Sequence, residues 1–86
     1  MGRAEKLIQK ILRKQSDANI GFEEIRSLLK HLRFEERTRG GHHIFRRSDV
    51  EERLNLQPEG AKCKPYQVRQ VRTIIVKYQL GAEDDE

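Results

Sequence analysis

Two adjacent histidines follow two adjacent glycines in the stretch RTRGGHHIFRR, and Arg37, Arg39, Arg46 and Arg47 fence them. Histidine titrates near neutral pH and can pass protons, while the planar arginine fork grips phosphate. A pair of glycines lets a bulky anion approach the backbone. Together these residue types point to chemistry on a phosphodiester. The segment reads as a strand, so His42 and His43 face opposite sides. His42 then shares a face with Ile44 and Arg46, and His43 with Phe45 and Arg47. Periodicity alone leaves open which set meets the core. The plain alternative is one surface histidine and one packed, hydrogen-bonded histidine, since an acid–base group needs positioning as well as a suitable pKa.

Metal chemistry has few candidates. His31, His42 and His43 are the only histidines, without an HxH, HxxxH or HExxH spacing, and neighbouring strand histidines do not converge on one ion. Cys63 is the single cysteine, which excludes an internal disulfide and any Cys-rich zinc cluster. No metal and no cofactor is expected. A second anion site is expected in AKCKPYQVR, Ala61 to Arg69. There Lys62 and Lys64 stand just before a helix N-terminus and Arg69 lies one turn in, where backbone N–H groups and the dipole attract phosphate. Arg72 shares a helix face with Arg69 at i, i+3. Contacts of this kind give affinity and register without reading sequence; a solvated basic loop is the alternative.

The elements that must hold these groups are legible in the hydropathy pattern. Leu7, Ile8, Ile11 and Leu12 make one apolar stripe on a helix over 4–14, and the polar run Gln15–Asn19 ends it. Phe22, Ile25, Leu28, Leu29 and Leu32 repeat on a second helix from Gly21 to Leu32, with Glu23 and Glu24 in its first turn as the dipole prefers. FEERTR and HHIFRR flank Gly40-Gly41, a two-residue hairpin turn. A third strand over Glu52–Gln57 carries Leu54 and Leu56 on one face and Arg53, Asn55 and Gln57 on the other. The last helix starts at Pro65, buries Val68, Val71, Ile74, Ile75 and Tyr78, and ends at Gly81. The expected fold is α+β: a three-stranded meander with helices on one face, the α-β-β-β-α layout of double-stranded-RNA-binding domains, plus an extra N-terminal helix. That helix either packs at an edge or serves a partner.

At 86 residues the chain is expected to be a single domain. Charged residues make up 37% and mean hydropathy is −0.89, but the apolar residues are clustered, which favours a folded domain with a charged surface. Net charge is +4. Setting aside the acidic end Glu83–Glu86, the body holds 18 basic against 10 acidic residues, a balance that favours nucleic acid or an anionic surface. The acidic end reads as a solvated tail over 81–86. No apolar run reaches membrane length and no signal-peptide pattern appears, so the expectation is no membrane partner and a reducing cytoplasmic setting.

The stretch FEEIRSLLKHLRFEERTRGGHHIFRR, followed by a strand and a basic helix, resembles the HicA toxin family of bacterial type II toxin–antitoxin systems. The family signature, Gly-(Ser or Gly)-His at a hairpin, falls on Gly40, Gly41 and His42, and the resemblance covers about 21–80. It implies a double-stranded-RNA-binding-like fold and an mRNA interferase that cleaves RNA with the motif histidine, His42, blocked by a HicB-like antitoxin. His43 inherits no role. Two departures are the added helix at 4–14 and a third strand lacking the Pro-Arg-His or Pro-Phe-His segment of some relatives. RNA brings its own nucleophile, the 2′-OH, so a ribonuclease of this design needs a base and cations rather than a metal. Arg39 or Arg46 would hold the scissile phosphate, with Lys62, Lys64, Arg69 and Arg72 along the backbone. A slow enzyme, monomeric when free, is expected. A non-catalytic RNA-binding module and a protein-interaction module are the alternatives.

Overall fold

The computed structural model of the protein describes residues 2–81, so the acidic end Glu83–Glu86 lies outside the described residues. Helix α1 (Arg3–Leu12) opens with the Gly2 N–H donating to Glu5 Oε1 at 2.7 Å. It stops two residues short of the expected 4–14 span because Lys14 takes a left-handed φ of 62°, which a right-handed helix cannot continue. A short 3-10 turn (Asp17–Asn19) leads into α2 (Phe22–His31). The Gly21 N–H donates to Glu24 Oε1 at 2.8 Å, which satisfies one of the orphan donors of the first turn. Phe22, Ile25, Leu28 and Leu29 form the buried stripe of α2.

Strands β1 (Glu35–Arg39), β2 (His42–Arg47) and β3 (Val50–Leu56) follow as an antiparallel sheet in the order β1-β2-β3. Arg39 pairs with His42 across the expected glycine turn, where Gly40 has φ 61° and Gly41 does not, the pattern of a type II′ hairpin. β3 begins at Val50 rather than Glu52, since Ser48-Asp49 already closes a tight turn and pairs Arg47 with Val50. The register then slips between Phe45 and Arg47, an irregularity of the bulge type.

A small hairpin absent from the sequence reading comes next: β4 (Pro58–Glu59) and β5 (Lys62–Cys63), turning on Gly60 at φ 62°. It is tied to the start of α2 by Phe22 N–H to Ala61 O and Cys63 N–H to Ile20 O, both 2.9 Å. Helix α3 (Pro65–Tyr78) has proline in its first turn and Lys64 as N-cap. Its stop is Gln79 in the left-handed region (φ 53°), with Leu80 N–H folded back onto Ile75 O at 3.0 Å, two residues before the expected Gly81.

The architecture is α+β, with the inner face of the sheet against the helices. Phe45, Leu54 and Leu56 project from the sheet into a core shared with Ile20, Ile25, Leu28, Leu29, Val68 and Val71. Helix α1 belongs to that same core through Leu7 and Ile11, the latter wholly buried; Leu12 remains 42% exposed. Burying an aliphatic side chain of this size contributes about 1.5–3 kcal/mol, so α1 is integral rather than appended. Among the described residues no helix is long and apolar enough to cross a membrane.

Candidate functional site on the open sheet face

Strand parity, once the register is known, sorts the arginine-histidine stretch into two sets. Phe45 is buried, so His43, Phe45 and Arg47 point toward the helices, and His42, Ile44 and Arg46 toward the open face. Cross-strand pairs extend the open set: Arg39 lies opposite His42, Arg37 opposite Ile44, Glu35 opposite Arg46, and Asn55 opposite Ile44 on the other side. Arg53 shares the face of Asn55. The open face of the sheet therefore carries His42, four arginines and Asn55 around a single half-buried isoleucine.

His42 is exposed, and its Nδ1 is 3.1 Å from Asn55 Oδ1. Asn55 Oδ1 is an acceptor, so the ring donates from Nδ1 and keeps its lone pair on Nε2. With the amide oxygen facing the ring, a neutral imidazole in that tautomer presents Nε2 as a base toward solvent. The neighbouring Gly40-Gly41 turn places no side chain over it, and around Gly40 a Cβ position would meet no atom within 4 Å.

His43 occupies the opposite environment. Its Nδ1 sits 2.7 Å from Glu36 Oε2, its side chain is 19% exposed, and its ring stands edge-on to Phe22 at 4.9 Å and 66°. Glu36, only 7% exposed, also accepts from Arg26 at 2.8 and 2.9 Å and pairs with Lys30 at 3.2 Å. The Arg26 guanidinium, then His43 and Lys30, outweigh desolvation and hold the Glu36 carboxyl down at about 2. His43 is thus the packed member of the pair, clamping the sheet to α2. Arg47 is likewise structural: it donates to Leu32 O at 3.0 Å and pairs with Asp49 at 2.7 Å.

The remaining expected residues divide. Arg39 and Arg46 share the face of His42; Arg46 also meets Glu35 at 3.5 Å. Lys62, Lys64 and Arg69 belong to β5 and the start of α3, where Lys62 Nζ donates to Asn19 Oδ1 at 3.1 Å. Buried Gln67 ties this helix start to the sheet, its amide nitrogen donating to Gln57 O and its oxygen accepting from Gln57 N–H, both 3.0 Å. Gln57 in turn flanks Gly41, so the α3 N-terminus and the glycine turn lie at one end of the sheet. Arg72 sits further along α3. Expected as a phosphate ligand, it forms a bidentate pair with Asp17 at 3.0 and 3.1 Å and donates to Ile11 O at 3.0 Å, with an 11% exposed side chain. It caps α1 and is committed to the fold.

The sequence reading grouped Arg37 with the arginines around the histidines but assigned no role to Arg53, Asn55 or Glu36. The alternation around Leu54 and Leu56 did place Arg53 and Asn55 on one face; what it lacked was the register that brings that face beside His42. His31 lies elsewhere, 3.9 Å from Glu5 on α1. Among the described residues no three His, Cys, Asp or Glu side chains converge as metal ligands. The Cys63 thiol is buried and pushed up to about 11 by desolvation, so it is no nucleophile.

Against protein-family models, curated proteins and solved structures the chain has no match.

Proposed function

We propose that the chain is an RNA-cleaving toxin of the HicA kind, an endoribonuclease that uses His42 and needs no metal, on a double-stranded-RNA-binding-like fold. The observation that carries the reading is the exposed His42, bonded through Nδ1 to Asn55 and opposite Arg39 on a face with three further arginines. In the reaction Nε2 of His42 takes the proton of the 2′-OH as that oxygen attacks the adjacent phosphorus. The P–O5′ bond breaks, leaving a cyclic phosphate, and the leaving oxygen is protonated by the imidazolium or by water. Arg39 stabilises charge on the phosphoryl oxygens, with Arg46 beside it. Lys62, Lys64 and Arg69 hold the RNA further along, at the same end of the sheet. One histidine serving both steps makes a slow enzyme.

The resemblance supplies a partner as well: a HicB-like antitoxin that inhibits by covering His42, drawn to the basic face by acidic side chains. In this reading the chain works in the cytoplasm and is a monomer until the antitoxin binds. The competing reading is a non-catalytic RNA-binding module, favoured by the lack, among the described residues, of a second titratable group bonded to His42. Expression in a bacterial host separates them. The wild type is expected to arrest growth and deplete mRNA, and His42→Ala to do neither at equal soluble yield. Arrest by His42→Ala at the wild-type level would remove the ribonuclease reading.

A further inference from the structure

The three half-buried arginines of this protein are all paired. Arg26 meets Glu23 and Glu36, Arg47 meets Asp49, and Arg72 meets Asp17. The open sheet face behaves differently. Arg37, Arg39 and Arg53 are exposed and, among the described residues, no carboxylate pairs with them. Only Arg46 has one, a 3.5 Å contact to a Glu35 that is itself 78% exposed. These guanidinium groups border one cleft of about 580 Å³ on the sheet, with Ile44 at its centre.

Arg37 and Arg53 come from opposite strands, one on each side of β2. Arg37 is opposite Ile44, and Arg53 lies two residues along β3 from Asn55, the other partner of Ile44; with strands about 4.8 Å apart and about 3.4 Å per residue, their backbones stand roughly 12 Å apart. Four like charges around one patch repel one another, and nothing within the fold offsets three of them. A face whose cations are all arginine, with the exposed Glu35 at its edge as their one carboxylate neighbour on the strand pairing, matches a chain of phosphates gripped fork by fork. A protein on this face would be held by charge rather than by packing: the patch has one half-buried isoleucine, no aromatic anchor and little to fill a hot spot.

We infer that Arg37 and Arg53 form a second phosphate-binding subsite, so that a single-stranded RNA backbone crosses the open face of the sheet on its way to Arg39 and His42. The inference rests on the ribonuclease reading only for the identity of its ligand. It extends the strand over β1, β2 and β3, in addition to the α3 N-terminus that sequence spacing favours. The absence of an aromatic side chain on the face makes the grip backbone-directed and tolerant of base sequence.

The test is the salt dependence of binding to a fluorescent 2′-O-methyl oligoribonucleotide, which cannot be cleaved because its 2′ oxygen has no proton to lose. Wild type is compared with Arg37→Gln/Arg53→Gln and with Arg3→Gln/Arg13→Gln, which removes the same charge from α1. Each phosphate contact on a single strand contributes about 0.7 to the slope of log K against log salt. The sheet variant should lose about 1.4 of slope and at least tenfold in low-salt affinity, while the α1 variant keeps the wild-type slope. Arg37→Lys/Arg53→Lys retains the charge and should keep the slope with weaker affinity. Circular dichroism confirms that each variant is folded. Equal slopes for the two Gln variants would overturn the subsite, as would equally tight binding of an oligoglutamate of the same charge, which would assign the face to an acidic protein. The ribonuclease reading fails separately: the expected slopes without cleavage of an ordinary oligoribonucleotide sustain the subsite and remove the enzyme, whereas cleavage with unchanged slopes does the reverse.

Discussion

His42 and His43 are one position apart and sit on opposite sides of the sheet, so their substitutions should separate chemistry from stability. His42→Ala touches an exposed ring and should change stability by no more than about 0.5 kcal/mol while removing RNA cleavage. His43→Ala deletes a 2.7 Å bond to a buried carboxylate and the edge contact with Phe22, a loss of about 2 kcal/mol. That should lower the melting temperature by about 10 °C and leave cleavage intact below the transition. Thermal melts and cleavage assays on both variants check this; stability and activity falling together in either one would contradict it. In the proposed reaction Asn55 acts through His42 as a positioning residue. Asn55→Asp puts a carboxylate beside Nδ1, favours the imidazolium and should move the rising limb of the pH–rate profile to higher pH. Asn55→Leu frees the tautomer and should reduce kcat at least tenfold with KM little changed. A pH profile identical to wild type for Asn55→Asp would show that the contact has no part in proton transfer. At this scale the sequence grouped His42 with Arg46 and His43 with Phe45 correctly but left their sides open. The deciding groups, Glu36 and Phe22, come from other elements, and local spacing carries no information about them.

Among the elements, α1 depends most on a single contact. Arg72 joins Asp17 to the last turn of α1, and its loss leaves the Ile11 carbonyl and a half-buried carboxylate without their partner. Arg72→Ala should cost about 3 kcal/mol, and amide exchange should speed up in α1 before it does in β2. Uniform acceleration across the fold would contradict a local role. Acid should act at the same places. The Arg72 hydrogen bond holds the Asp17 carboxyl below its ordinary value of 3.8, and Arg26 holds Glu36 down at about 2 against an ordinary 4.5. Both folded values are depressed, so their stabilisation is complete above the unperturbed values and is lost as pH falls from about 4.5 toward 2. Urea midpoints should be flat above that window, and Glu36→Gln should remove most of the slope within it. The helices were legible because apolar residues recur at their period, and the glycine turn because few residues fit a left-handed φ. The β4–β5 hairpin was not legible, since two-residue strands have no periodicity and this one is defined by bonds to Ile20 and Phe22. The start of β3 was misplaced because Ser48-Asp49 closes its turn without glycine or proline. Whether α1 packs on the fold or serves a partner stayed open for the same non-local reason: Arg72 is 61 residues from the carbonyl it caps.

Across the whole molecule, the fold sorts charge by use. Inward-facing arginines are neutralised by Asp17, Glu23, Glu36 and Asp49, which leaves the sheet face with most of its positive charge unspent. RNA affinity should therefore fall steeply with salt, and a flat dependence would argue that this face does not meet phosphate. Composition made the basic excess visible, but the gathering of four arginines on one face beside His42 emerges only from strand register. The most direct measurement is a time course of RNA cleavage in EDTA by purified wild type and His42→Ala at equal concentration. The account expects slow cleavage by the wild type, products ending in cyclic phosphate, and no cleavage by His42→Ala although it still binds the RNA. Intact RNA with the wild type, or equal cleavage by both proteins, would contradict it.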